Sequence, residues 1–363
     1  MVKFFDVKTS IYLDIVRFLC AFVVMVTHCC QVIFEMNFNS HFIGDIQHGA
    51  VMIFFVLSGY VIAYTTTVKK RTIVEYTIAR LSRLYSIFFP AIILTVICAL
   101  LTKAVNPSFY EIYNNGNEIL RYILGVFYLN EIWFLSAAPR MNGVIWSLGY
   151  EFWFYAVFGI FFFKKKGLKG FFLPFLICLL VGPKILLMMV IWMFGFLAFR
   201  IQKIIISTKL SWFFVFVFLV ISILCMSFFS SIPFKLGTYP LFWASQFITD
   251  YVVGVFFGIS IWFLPLKTKK VQSSQIILKN QKIFRTIGDL TFPIYVLHWP
   301  LLILFKSLMP IGLGLNIQFL IISLSTFLIC IFVGMYLESK KQLWSLLFNR
   351  ILLKLVGKKD FET

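Results

Sequence analysis

Charge is what this chain has least of, and acids above all: 14 Asp and Glu and four His stand among 363 residues. With 13% charged and 61% hydrophobic residues, the composition excludes a water-soluble globular domain of this length. Cys20, Cys29, Cys30, Cys98, Cys178, Cys225 and Cys330 include no C-x-x-C spacing, which excludes a zinc ribbon or dithiol redox motif; they are expected as free, small core residues. No metal site is expected. Long polar interruptions, low-complexity tracts and fixed-period repeats are also missing, which argues against a soluble second domain or a repeat array. No small-residue cleavage site follows the first apolar run, so that run is expected to stay as a helix.

What the chain does have is apolar runs of spanning length. About 20 such residues cross a bilayer, and candidate spans fall near residues 11–33, 51–68, 87–104, 145–163, 171–184, 185–199, 210–230, 241–263, 288–307 and 314–337. Each must close its own backbone hydrogen bonds as a helix. The expected fold is all-α, a polytopic membrane helix bundle of about ten transmembrane helices with both termini cytoplasmic. Its membrane domain covers 1–340, and a basic cytoplasmic C-terminal tail covers 341–363. Charge tests the phase: 26 of the 33 Lys and Arg fall on the proposed cytoplasmic side and six on the other, with Arg17 inside the first span. The net charge of +19 is thereby accounted for by topology and anionic lipid headgroups, without nucleic acid. Gly182-Pro183 reads as a turn between two short spans, and Ile119–Leu135, interrupted by Arg121, Asn130 and Glu131, as a re-entrant or interfacial helix.

Ionisable residues inside the membrane are costly and mark cavities or partners. In the first span they are Asp14, Arg17 and His28. Eleven residues make almost three turns, so Arg17 and His28 share a helix face about 16 Å apart, with Asp14 placed to pair with Arg17. Mutual neutralisation of Asp14 and Arg17, with His28 capping a helix end, accounts for the same residues. The fourth span opens Trp146-Ser147-Leu148-Gly149-Tyr150-Glu151 and continues to Tyr155, putting Glu151 near the depth of His28. A carboxylate there would orient the imidazole as a general base, although an interfacial aromatic belt explains Trp146, Trp153 and Tyr155. Ser58 and Gly59 are small enough for close helix contact or passage of a ligand chain. Arg80 and Arg83 share a helix face suited to phosphate or to lipid headgroups. His298, between Pro293 and Pro300, is expected chiefly to satisfy freed backbone groups.

These segments together resemble the acyltransferase-3 family of membrane-bound O-acyltransferases, which decorate bacterial surface sugars. Its Arg-x10-His falls on Arg17 and His28, its Phe-rich Ser-Gly segment on Phe54 to Tyr60, and its Arg-x-x-Arg on Arg80 and Arg83. Its Trp-Ser-Leu-x-x-Glu pattern falls on Trp146 through Tyr155, and its Tyr-x-x-His-x-Pro on Tyr295, His298 and Pro300. The chain departs from the family at Glu338-Ser339, where many relatives have Pro soon after Glu.

The resemblance implies transfer of an acyl group, acetyl by default, from cytoplasmic acyl-CoA to a hydroxyl of an extracytoplasmic carbohydrate, in the bacterial inner membrane. Acyl-CoA is then a co-substrate and no resident cofactor is expected. Arg17, Arg80, Arg83 and Ser58 would bind the donor, and His28 and Glu151 would catalyse. Asp14, Trp146, Ser147, Tyr150, Tyr155, Tyr295 and His298 would support the substrate or the site. Direct transfer and an acyl-histidine intermediate both fit. The competing class is a transporter exporting a glycan or lipid-linked sugar, which would need no thioester donor.

Overall fold

The computed structural model describes residues 4–34, 41–114, 116–164, 167, 169–204, 206–267, 275–310 and 312–356. The basic residues Lys3, Lys165, Lys166, Lys269, Lys270, Lys358 and Lys359 of the charge pattern lie outside them, as does 357–363 of the expected tail. The helices are α1 (Val7–Phe34), α2 (His41–Lys69), α3 (Ile73–Val105), α4 (Pro107–Ile112), α5 (Glu118–Val126), α6 (Ile145–Phe162) and α7 (Lys169–Val181). They continue as α8 (Pro183–Arg200), α9 (Thr208–Phe228), α10 (Phe247–Trp262), α11 (Gln275–Leu308), α12 (Leu315–Ser339) and α13 (Lys341–Val356). Phe4–Phe5 and Leu266–Lys267 add a two-residue antiparallel strand pair.

Among the described residues, eight helices are long and apolar enough to cross a membrane. The other two expected crossings fall on the shorter apolar helices α7 and α10. Helix boundaries follow local chemistry. α3 starts at a reciprocal cap, where Thr72 Oγ1 accepts from the Glu75 amide at 3.2 Å and Glu75 Oε2 accepts from the Thr72 amide at 3.0 Å. The α7–α8 turn forms because Gly182 takes φ +78° and Pro183 opens α8. A Cβ on Gly182 would stand 2.7 Å from the Trp133 Cα, so only glycine fits.

The segment expected as a re-entrant or interfacial helix is helical only over α5, nine residues or about 14 Å, too short to cross. Its Ile119, Ile123 and Phe127 leave one apolar face exposed, as an interfacial helix does. The residues after it turn through left-handed conformations at Tyr128 and Trp133, which ends the helix.

Packing divides the chain into two units. Unit 1 is Met1–Val24, Phe38–Lys70 and Leu187–Thr291, and unit 2 is Met25–Asn37, Arg71–Leu186 and Phe292–Thr363. In unit 1, α9 and α10 are stitched by hydroxyl-to-carbonyl bonds, Ser222 to Val253 at 3.0 Å and Ser260 to Val215 at 2.7 Å. In unit 2, the Tyr76 hydroxyl of α3 donates to the Tyr155 carbonyl of α6 at 3.0 Å. Cys29, Val32 and Ile33 of α1 pack with Leu302 of α11 and Ile322 of α12. All seven cysteines are free thiols and five of them are buried, matching their small-core expectation. Residues 341–356 of the expected tail form α13, which packs on α3 through Trp344 and Phe348.

Candidate active site

His28 and His298 meet in unit 2. His28 Nδ1 lies 2.8 Å from His298 Nε2, and both rings are buried. Their protons follow from the remaining partner, because His298 Nδ1 lies 2.9 Å from the Ile294 carbonyl, which only accepts. Nδ1 of neutral His298 therefore carries the hydrogen, and its Nε2 accepts from His28 Nδ1–H. Neutral His28 is left with its lone pair on Nε2, the nitrogen a general base needs. Trp299 sets its ring edge-on to His28 at 4.5 Å, and its indole donates to the Arg140 carbonyl at 2.8 Å.

His298 holds this geometry although Pro293 and Pro300 interrupt the hydrogen-bond ladder of α11. The Val296 carbonyl, left without its usual donor by Pro300, accepts from Asn142 Nδ2 at 3.1 Å; the same amide lies 2.9 Å from Thr95 Oγ1. Asn142 thus satisfies the carbonyl that Pro300 frees, while the His298 ring bonds a backbone carbonyl, that of Ile294, as expected of it, and His28 as well.

One turn before His298 on α11, the Tyr295 hydroxyl lies 2.7 Å from Ser147 Oγ of α6. Ser147, Glu151 and Tyr155, spaced by four, follow one another along one face of α6. The Tyr155 hydroxyl donates to Glu151 Oε1. The hydrogen-bond partner of the His28 ring is thus His298, while the carboxylate expected there binds Tyr155. Trp146 and Tyr150 are buried, edge to face at 5.5 Å.

The Arg80 guanidinium lies over the rings of Tyr76 and Tyr155, 5.9 and 5.6 Å from their centroids. A third guanidinium, Arg71, was not singled out from sequence. Its burial and the Arg80 charge hold its pKa below the usual arginine value. Arg71 Nη1 and Arg80 Nε are buried without a hydrogen-bond partner among the described residues. Like charges brought this close favour an anion between them.

The other sequence candidates belong to unit 1, where Arg17 pairs with Asp14 at 3.8 Å. Ser58 Oγ accepts from the Trp192 indole at 3.3 Å. Sequence reasoning missed two buried pairs. His48 Nε2 lies 3.1 Å from Asp250 Oδ2 in unit 1, and Lys184 Nζ lies 2.7 Å from Glu131 Oε2 in unit 2. Among the described residues no group of three or more His, Cys, Asp or Glu is placed to hold a metal ion.

Glu131 sits in the loop before α6, and burial pushes its carboxyl up to about 7 against the pull of Lys184. Between about 4.5, its unperturbed value, and about 7, the folded protein holds a proton that the unfolded chain has lost. Stability contributed by this group therefore falls as pH rises through that window. Thermal unfolding in detergent at pH 5 and pH 7 should show this fall in the native protein, and Glu131→Gln should lessen it; an unchanged pH dependence in the variant would remove Glu131 as its source.

A helical membrane protein with a buried histidine pair and a cluster of guanidiniums is what fold and site define. The family model described as an acyltransferase domain, Acyl_transf_3, matches residues 10–335, and the chain belongs to this acyltransferase family. Curated proteins and solved structures returned no match. The protein is thus a membrane acyltransferase.

Proposed function

We propose that the protein transfers an acetyl group from cytoplasmic acyl-CoA to a hydroxyl of an extracytoplasmic carbohydrate, in the inner membrane of a bacterium. The observation that carries this reading is the contact of buried His28 Nδ1 with His298 Nε2, whose own Nδ1 faces the Ile294 carbonyl, an arrangement that assigns the His28 lone pair to Nε2. That nitrogen takes the proton of the sugar hydroxyl as the hydroxyl oxygen attacks the thioester carbonyl. The C–S bond breaks, the ester C–O bond forms, and the proton passes from His28 to the departing thiolate. Ser147 and Tyr295, linked to each other beside Glu151, supply hydroxyls for the acceptor or the oxyanion. Arg71, Arg80 and Arg83 hold the phosphates of coenzyme A, a role that the unsatisfied N–H groups of Arg71 and Arg80 support.

Purified protein in proteoliposomes, given acetyl-CoA and a surface glycan, should release thiol only when the glycan is present. Arg80→Gln should raise KM for acetyl-CoA by about tenfold, the worth of one charge-assisted bond, with kcat little changed. Thiol release indifferent to the glycan would sink the transferase reading, and an unaltered KM would remove Arg80 from the donor site.

A further inference from the structure

α13 carries two kinds of exposed residue in sequence along one face. Leu343, Leu346 and Leu347 are exposed in its first half, while Arg350 and Lys354, on the same face, are exposed in its second beside Ile351. Neither cation has a hydrogen bond or ion pair with a described residue, whereas Lys341 is shared with Glu338 at 3.1 Å. The helix contains no acidic residue.

Its seat on α3 locates it. At 33 residues α3 is about 50 Å long, well beyond a hydrocarbon core of about 30 Å. With the apolar C-terminal part of α3 in the core, Arg80 and Arg83 stand outside it and Tyr85 marks the boundary. Trp344 packs on both Tyr85 and Phe89, whereas Phe348, one turn later, packs on Tyr85. α13 thus begins against the deeper residue and proceeds toward the boundary, which matches the exposed Leu343, Leu346 and Leu347 coming before the exposed Arg350 and Lys354.

From this correspondence of depth with chemistry, we propose that α13 lies obliquely in the membrane surface at the basic end of α3. Its leucine half enters the acyl chains, and Arg350 and Lys354 bind the headgroups of anionic phospholipid. Exposed leucines on a helix wholly in water would have nothing to cover them, and cations wholly in hydrocarbon would be costly. Anionic lipid fits both halves.

The test reconstitutes the full chain in bilayers carrying photoactivatable phosphatidylglycerol or phosphatidylcholine and maps crosslinks by mass. The native protein should be labelled across Leu343–Lys354, more by phosphatidylglycerol. In Arg350→Gln/Lys354→Gln that preference should fall by about fivefold or more, the expected effect of losing at least one cation near an anionic surface. Arg350→Lys/Lys354→Arg should keep it. Both cations are exposed, so their replacement leaves the Trp344 and Phe348 packing in place. Absence of labelling on Leu343–Leu347 by either lipid would overturn the seat. Equal labelling by the two lipids, or a preference unchanged by the double glutamine variant, would overturn the headgroup site.

Discussion

His28→Ala lowers acyl transfer by about 100-fold to 10,000-fold, the range expected for a positioned general base, with the protein still present in the membrane. His28 sits among packed side chains, so the fall must appear in kcat of correctly folded protein. His298→Ala is the informative companion. It deletes the acceptor that keeps the His28 proton on Nδ1, leaving both tautomers open to His28, so kcat drops by a smaller factor and its pH dependence changes. A packing defect alone would lower the amount of folded protein without altering that profile. Equal kcat in the native and His28→Ala proteins would remove His28 from the chemistry.

The second large effect is on stability, at the crossing of α2 and α8 in unit 1. A Cβ on Gly59 would stand 2.0 Å from the Trp192 carbonyl oxygen, and one on Gly195 would stand 1.8 Å from that of Val56. Each glycine faces the carbonyl three residues before the other glycine, so the backbones touch reciprocally, the close approach that small residues permit between membrane helices. Backbone cannot step aside as a flexible side chain can. Gly59→Ala and Gly195→Ala should each cost on the order of 3 kcal/mol or more, read as lost monodisperse protein and a lowered Tm. Because the first substitution already separates the helices, the double variant should lose less than the sum. A Gly195→Ala protein with native Tm would show that the crossing is not this tight. The Ser58-Gly59 pair thus has a packing role alongside any role in donor binding.

Much of this was legible from sequence because it depends on local periodicity. Apolar runs gave the helices, Gly182-Pro183 gave a turn, and the family motifs drew attention to His28, Glu151, Arg80, Tyr295 and His298. Pairing was harder to see. Membrane depth places Glu151 and His28 at one level but does not say which way each helix is rotated, so the partner of His28 was expected to be the carboxylate. Asn142 carried no signal, being a single amide in an outer segment. Glu131 and Lys184 are 53 residues apart and His48 and Asp250 are 202 apart, so nothing local links them. α13 had a visible signal, since Trp344 and Phe348 and also Leu343 and Leu347 are spaced by four, but its lysines and arginine led to its being read as a tail.

The most direct measurement is the acyl content, by mass, of surface glycans from cells expressing the native protein, His28→Ala, Glu151→Gln or nothing, at matched membrane levels. The account predicts a mass increment of one acetyl group per modified sugar with the native protein, and its loss in both variants. No increment with the native protein, together with a changed amount of exported glycan, would contradict the account and make the protein an exporter.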